Sequence, residues 1–414
     1  MSLKDFRRAG HAPTLASAFL YFDVSFMVWV ILGPLGPFLG ESLRLSASQK
    51  GFLTAVPLLG GSFFRILLGL MTERIGGKRT GLIGLSLTLV PLLIAWQWAS
   101  GYGEFLGVGL LLGIAGASFA AALPLASGWY PPEYQGLAMG IAGAGNSGTL
   151  LATLFAPRLA QAFGWRSVFG IAMIPVCLVW IFFVVMAKDA PVRRPTYRWR
   201  DYAAVFAQPD TAWFCLIYSI TFGGFSGLAS YLSIFYHDQY GLTKVQAGDL
   251  TTLVVVFGSF LRPVGGLLSD RIGGVRMLQV LLGGVALCMA AVGTLPPVAA
   301  AVALLVLIMA MLGMGNGAVF QLVPQRFPTQ VGMLTGIVGA AGGLGGFLLP
   351  SLLGTMKQAT GSYGLGFAVF AAGAGCALVA LLALRQNWRR TWPRESVVRA
   401  GLAPLEDAAV AAGD

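Results

Sequence analysis

The sequence predicts an all-α polytopic membrane protein, with twelve transmembrane helices in two six-helix bundles related by pseudo-two-fold symmetry. Three observations predict it. Of 414 residues, 57% are hydrophobic and only 10% charged, against roughly a quarter charged in ordinary soluble domains. The apolar residues fall in runs that approach or exceed the roughly 20 residues a helix needs to cross a bilayer, and they suffice for roughly twelve. A stretch of the first half also recurs in the second. The 57 glycines and 21 prolines would suggest loops in water, but membrane helices tolerate both residues and use small ones for close contact.

Taken in order, the apolar runs lie near 14–39, 50–71, 80–99, 105–128, 136–156 and 167–187, then 211–236, 247–268, 277–295, 298–323, 331–355 and 364–384. The first run is long, carries Asp23 and has no small-residue cleavage site behind a short apolar core, so it reads as a retained helix and not a signal peptide. The longest polar stretch, Lys188 to Tyr202, divides the chain into an N-terminal bundle (1–187), a linker (188–210), a C-terminal bundle (211–386) and a tail (387–414).

Charge sets the topology. With the N-terminus inside, nineteen of the 27 Lys and Arg residues fall on the cytoplasmic face. The opposite face holds Arg44, Lys50, Arg158, Arg166, Lys244 and Lys357, while Arg65 and Arg262 lie within spans. This asymmetry predicts a multi-pass protein of the cytoplasmic membrane with both termini cytoplasmic. It also accounts for the net charge of +11 without nucleic acid, since no basic patch interleaved with aromatics appears. Cys177, Cys215, Cys288 and Cys376 sit singly in apolar runs, and His11 and His237 are the only histidines, so neither disulfides, metal nor cofactor is expected.

The internal repeat decides the architecture. GSFFRILLGLMTERIGGKR, Gly61 to Arg79, aligns without gaps on GSFLRPVGGLLSDRIGGVR, Gly258 to Arg276, at an offset of 197 with 11 of 19 positions identical. The second helix of each half therefore corresponds, as in parallel repeats about an axis along the membrane normal. Gly136, Gly140 and Gly143 echo in Gly332, Gly336 and Gly339 at an offset of 196.

Arg65 and Arg262 occupy equivalent positions deep inside apolar helices, where an arginine costs about 2.5 to 3.5 kcal/mol even on insertion scales. Permanent ion pairs would offset this, but Asp23, Glu104 and Asp249 are the few acids near or within spans. Two guanidiniums facing each other across a repeat interface instead make a site for an anion, and their planar forked donors suit a small planar oxyanion. Glu73, Arg74, Asp270 and Arg271 lie at helix ends in the RIGGKR and DRIGGVR tails; gating, or simple topology anchoring, explains them. Small residues at helical spacing, among them Gly143, Gly145, Gly339 and Gly342, read as packing surfaces that expose polar groups such as Asn146 toward a narrow passage.

These segments resemble the nitrate/nitrite porters of the major facilitator superfamily over nearly the whole chain. The carrying motifs are the two in-helix arginine segments and the paired glycine signatures, Gly136 to Gly148 with GAGNSG and Gly332 to Gly346 with TGIVGAAGGLGG. The resemblance implies the major facilitator fold and a substrate nitrate held between Arg65 and Arg262. It further implies Asn146 and Tyr218 as hydrogen-bond donors, and Phe119 and Phe222 as aromatic walls sandwiching the flat anion. Asp23 in the first helix resembles the branch associated with proton symport.

The sequence thus points to a secondary transporter of nitrate and nitrite working by alternating access as a monomer, with protons co-transported through Asp23. Nitrate/nitrite antiport and an anion channel stand as alternatives. An enzyme is not supported, since no nucleophile with a base, no paired carboxylates and no cofactor motif appears.

Overall fold

Each apolar run folds into a helix that overshoots it at one or both ends. The computed structural model describes residues 6, 8–190, 199–327 and 330–402. The linker segment 191–198, with Arg193, Arg194 and Arg198, lies outside the described residues, as do Lys4 and Arg7. The spans are α1 (Ala12–Ser42), α2 (Ala47–Ile75), α3 (Gly77–Gln97), α4 (Tyr102–Ser127), α5 (132–163) and α6 (Trp165–Met186), followed by α7 (Pro209–Tyr240), α8 (Lys244–Ile272), α9 (Gly274–Gly293), α10 (Val298–Arg326), α11 (Val331–Thr360) and α12 (Gly364–Thr391). The helix starting at Ala47 is fixed by a reciprocal cap, in which Ser46 Oγ accepts the Gln49 N–H and Gln49 Oε1 accepts the Ser46 N–H.

Among the described residues eleven helices are long and apolar enough to cross a membrane unaided. The fifth span is not one of them. It comprises Pro132–Gly143, a 3₁₀ turn at Ala144–Ser147, and Gly148–Phe163. The expected continuous helix is interrupted where GAGNSG supplies low helix propensity and side chains small enough for the backbone to press onto α1. α1 and α4 are also jointed, at Val30–Ile31 and Ala117–Ser118.

The chain divides into two compact units. One comprises Met1–Trp199 together with Gly227–Thr252, the other Arg200–Ser226 with Leu253–Asp414. In the first, α2 packs along α4 and α3 along α6. The α2–α4 crossing is close because Gly60 and Gly113 meet backbone to backbone; a Cβ on Gly113 would lie 2.4 Å from the Gly60 Cα. In the second unit α9 packs against α10 and α12, and the α8–α10 crossing repeats the glycine device with Gly258 and Gly313. The turn after the second helix of each repeat is built alike too. Gly76 and Gly273 both adopt φ of +90°, which explains why the repeated I-G-G needs its first glycine.

The end of the chain packs on the second unit. After α12 a short helix, Arg394–Arg399, leads to Ala400, whose carbonyl accepts the Val275 N–H at 3.0 Å. Asp210, at the start of α7, accepts from Trp388 Nε1 at 2.8 Å and pairs with Arg326.

Candidate functional site

Arg65 and Arg262 are each the nineteenth residue of a 29-residue helix, counted from Ala47 and Lys244. Roughly nineteen residues of helix rise about 27 Å, far from either end at the scale of a bilayer.

In the first unit Arg65 is 2% exposed. The joint in α4 leaves the Gly116 carbonyl outside the helical ladder, and it accepts from Arg65 Nη2 at 2.9 Å. The guanidinium carbon lies 5.5 Å from the Phe119 ring centroid and 5.9 Å from that of Trp29, distances at which ring quadrupoles attract cations. Trp29 is itself fixed: its indole N–H donates to the Pro57 carbonyl at 2.6 Å, and Gly61 and Gly116 leave room for its ring.

The 3₁₀ turn of α5 lies against α1 in the same unit. A Cβ on Gly148 would fall 1.8 Å from the Asp23 carbonyl oxygen, and one on Gly145 within 2.9 Å of the Phe19 carbonyl oxygen. This contact lets Ser147 Oγ donate to Asp23 Oδ1 at 2.7 Å. Asn146 is 1% exposed, and its side-chain oxygen has no hydrogen-bond partner among the described residues. At Gly143 the Cβ position has no neighbour within 4 Å.

In the second unit Arg262 lies 5.5 Å from the Phe320 centroid, the separation found at Arg65. Tyr218 and Phe222 stack at 5.1 Å with their planes 7° apart, and Tyr218 meets Phe320 edge-on at 5.0 Å. Gly342 of α11 makes room for that pair, since a Cβ there would sit 2.6 Å from the Tyr218 ring and 2.9 Å from that of Phe222. Gly345 likewise admits the Ser219 carbonyl. Gly339 lies in α11 and is buried.

Arg74, Asp270 and Arg271 are exposed at helix ends and form no ion pair among the described residues, while Glu73 is half-buried. Trp29, the Gly116 carbonyl, Phe320 and Asn316 are the groups that sequence reasoning missed. Asn316 is 1% exposed, one turn before Phe320, and the intervening Gly317 lies against the Arg262 carbonyl. The repeat offered a signal for α10: Phe119 plus 197 lands on Asn316, one turn from the aromatic that Arg262 meets. Trp29 had none, because a tryptophan in an apolar run reads as core.

Two repeats of membrane helices, each with a mid-helix guanidinium on an aromatic ring, define a multi-pass membrane transporter. The Major Facilitator Superfamily profile matches residues 17–350. The chain is 34% identical over 344 residues to the nitrite extrusion protein of Bacillus subtilis (strain 168), covering 83% of this chain and 86% of that one. It is 35% identical over 382 residues to the probable nitrate/nitrite transporter NarK2 of Mycobacterium tuberculosis, covering 90% and 96%. Among solved structures, that of a D-xylose-proton symporter superposes with a TM-score of 0.73 at 18% identity, over 90% of this chain and 96% of that one, which shows the shared fold. The chain belongs to the nitrate/nitrite porter family of the major facilitator superfamily and is a transporter, not an enzyme.

Proposed function

We propose that the protein carries nitrate, and nitrite, across the cell membrane by alternating access, as a monomer with both termini cytoplasmic and six-helix bundles at 1–187 and 211–386. Arg65 and Arg262 bind the anion. Asn146 and Tyr218 donate to it, Phe119 and Phe222 face its flat surfaces, and Glu73, Arg74, Asp270 and Arg271 act in gating. The observation that carries the reading is the recurrence, in both repeats, of a mid-helix arginine 5.5 Å from an aromatic ring of the fourth helix. Guanidiniums stacked on rings are planar, forked donors that suit a planar oxyanion, whose charge offsets the cost of placing them within membrane spans.

Coupling is to protons. Moving nitrate inward against a negative interior costs about 2.3 kcal/mol per 100 mV, and entry with two protons reverses that sign. Asp23 supplies the titratable carboxyl, held by Ser147 beside the α5 turn. The second reading is nitrate/nitrite exchange, which needs no acid and is favoured by the name of a Thermus thermophilus relative, the probable nitrate/nitrite antiporter NarK1. Uptake of labelled nitrate into proteoliposomes, with an inward proton gradient or with internal nitrite, separates the two. Symport predicts gradient-driven uptake without internal nitrite; a strict need for internal nitrite assigns exchange.

A further inference from the structure

The chain has three asparagines, and two of them, Asn146 and Asn316, are only 1% exposed within spans. Asn387 is exposed beyond the last span. An amide buried among apolar helices costs free energy unless its ends are bonded, and hydrocarbon offers no water to bond them. The Asn316 side-chain oxygen is nonetheless buried without a hydrogen-bond partner among the described residues, as the Asn146 oxygen is. The nitrate reading uses Asn146 and leaves Asn316 without a role. The two are not repeat counterparts, since the offset of 197 carries Asn146 to Gly343 and carries Asn316 back to Phe119.

Packing of the second unit fixes where Asn316 stands. Its two neighbours are glycines that press on different helices: a Cβ on Gly315 would lie 2.8 Å from Thr221 Cγ2 of α7, and Gly317 lies against the Arg262 carbonyl of α8. α10 runs unbroken from Val298 to Arg326, so Asn316 and Phe320, four residues apart, share one face. That face brings the Phe320 centroid to 5.5 Å from the Arg262 guanidinium carbon and to 5.0 Å from the Tyr218 ring. In the first unit the position equivalent to Asn316 carries Phe119, the ring beside Arg65. In the second unit the ring comes one turn later, and an amide stands where an apolar side chain would serve packing better. A polar cost with no return in packing, one turn from the ring that meets a mid-helix arginine, is expected of a group retained for a ligand.

We propose that Asn316 is a further anion-binding residue: its amide N–H donates to the oxyanion on the Arg262 side of the site and favours nitrate over nitrite. The proposal rests on the nitrate/nitrite reading of that site. An amide donates without adding charge. Two arginine forks can occupy both oxygens of nitrite, whereas the third oxygen of nitrate takes further donors, so loss of one donor falls harder on nitrate. The test compares purified wild type, Asn316→Leu and Asn316→Ala by isothermal titration with nitrate and with nitrite, and by thermal unfolding in detergent without either anion. Leucine overfills the position and alanine leaves it short, so an effect shared by both belongs to the amide, and either variant serves where the other does not insert. Both are expected to bind nitrate about tenfold more weakly, as for a lost hydrogen bond to a charged group, and nitrite within about threefold of wild type. Asn316→Leu is expected to melt at or above wild type, because it removes an unbonded buried oxygen. A nitrate-to-nitrite affinity ratio that is unchanged or shifted toward nitrate, whatever the melting temperature, overturns the proposal and leaves the anion site standing. A wild type that binds neither anion overturns the nitrate reading, and the proposal with it.

Discussion

Arginine at positions 65 and 262 and glycine at two positions of the signatures make the sharpest residue-scale claims. Phe320→Ala removes the ring on which Arg262 rests. Loss of a half-buried cation–π contact, about 1 to 2 kcal/mol, is expected to weaken nitrate binding by roughly tenfold while leaving protein yield unchanged, as read by direct binding to purified protein. The glycine pair makes a contrast within one motif. Gly148→Ala forces a methyl into the Asp23 carbonyl and is expected to destabilise by about 1 to 3 kcal/mol, the range for overpacking. Gly143→Ala meets open space within the unit and leaves thermal stability in detergent near wild type. Equal loss in both would show that the signature acts through propensity alone. The two signatures were legible in sequence as small-residue surfaces, but which glycine touches what was not, because helical spacing gives a face and no neighbour.

At the scale of elements, the 3₁₀ turn of α5 couples the Asn146 neighbourhood to Asp23, since Ser147 reaches the carboxylate only where the helix tightens. Asp23→Asn is expected to abolish gradient-driven nitrate uptake and to spare nitrate/nitrite counterflow. Intact gradient-driven uptake in that variant would remove Asp23 from coupling. The existence and order of the helices were readable because apolar length and polar interruption are local properties of a chain in lipid. The joints in α1, α4 and α5 were not, because small residues permit a break without requiring one, and the partner that exploits it comes from elsewhere in the chain. Trp29 illustrates the same limit: its hydrogen bond to Pro57 and its place beside Arg65 depend on the α1–α2 crossing.

For the whole molecule, the repeat at Gly61 and Gly258 carried most of what the sequence could say, since it equated two helices and so two arginines. It also extended further than sequence identity: the same +90° glycine after each second helix, the same glycine crossing with each fourth helix, and the same arginine-to-ring distance recur. The ion pairs Lys50–Asp238 and Arg158–Asp249 join residues 188 and 91 positions apart, beyond any local pattern. The central claim is that two forked guanidiniums, one per repeat, hold the transported anion. Counterflow of labelled nitrate in proteoliposomes, comparing wild type with Arg65→Lys and Arg262→Lys at matched amounts of inserted protein, tests it most directly. Each lysine keeps the charge and loses the fork, so the account predicts saturable counterflow in wild type and its loss in both variants; near-normal counterflow in either variant would contradict it.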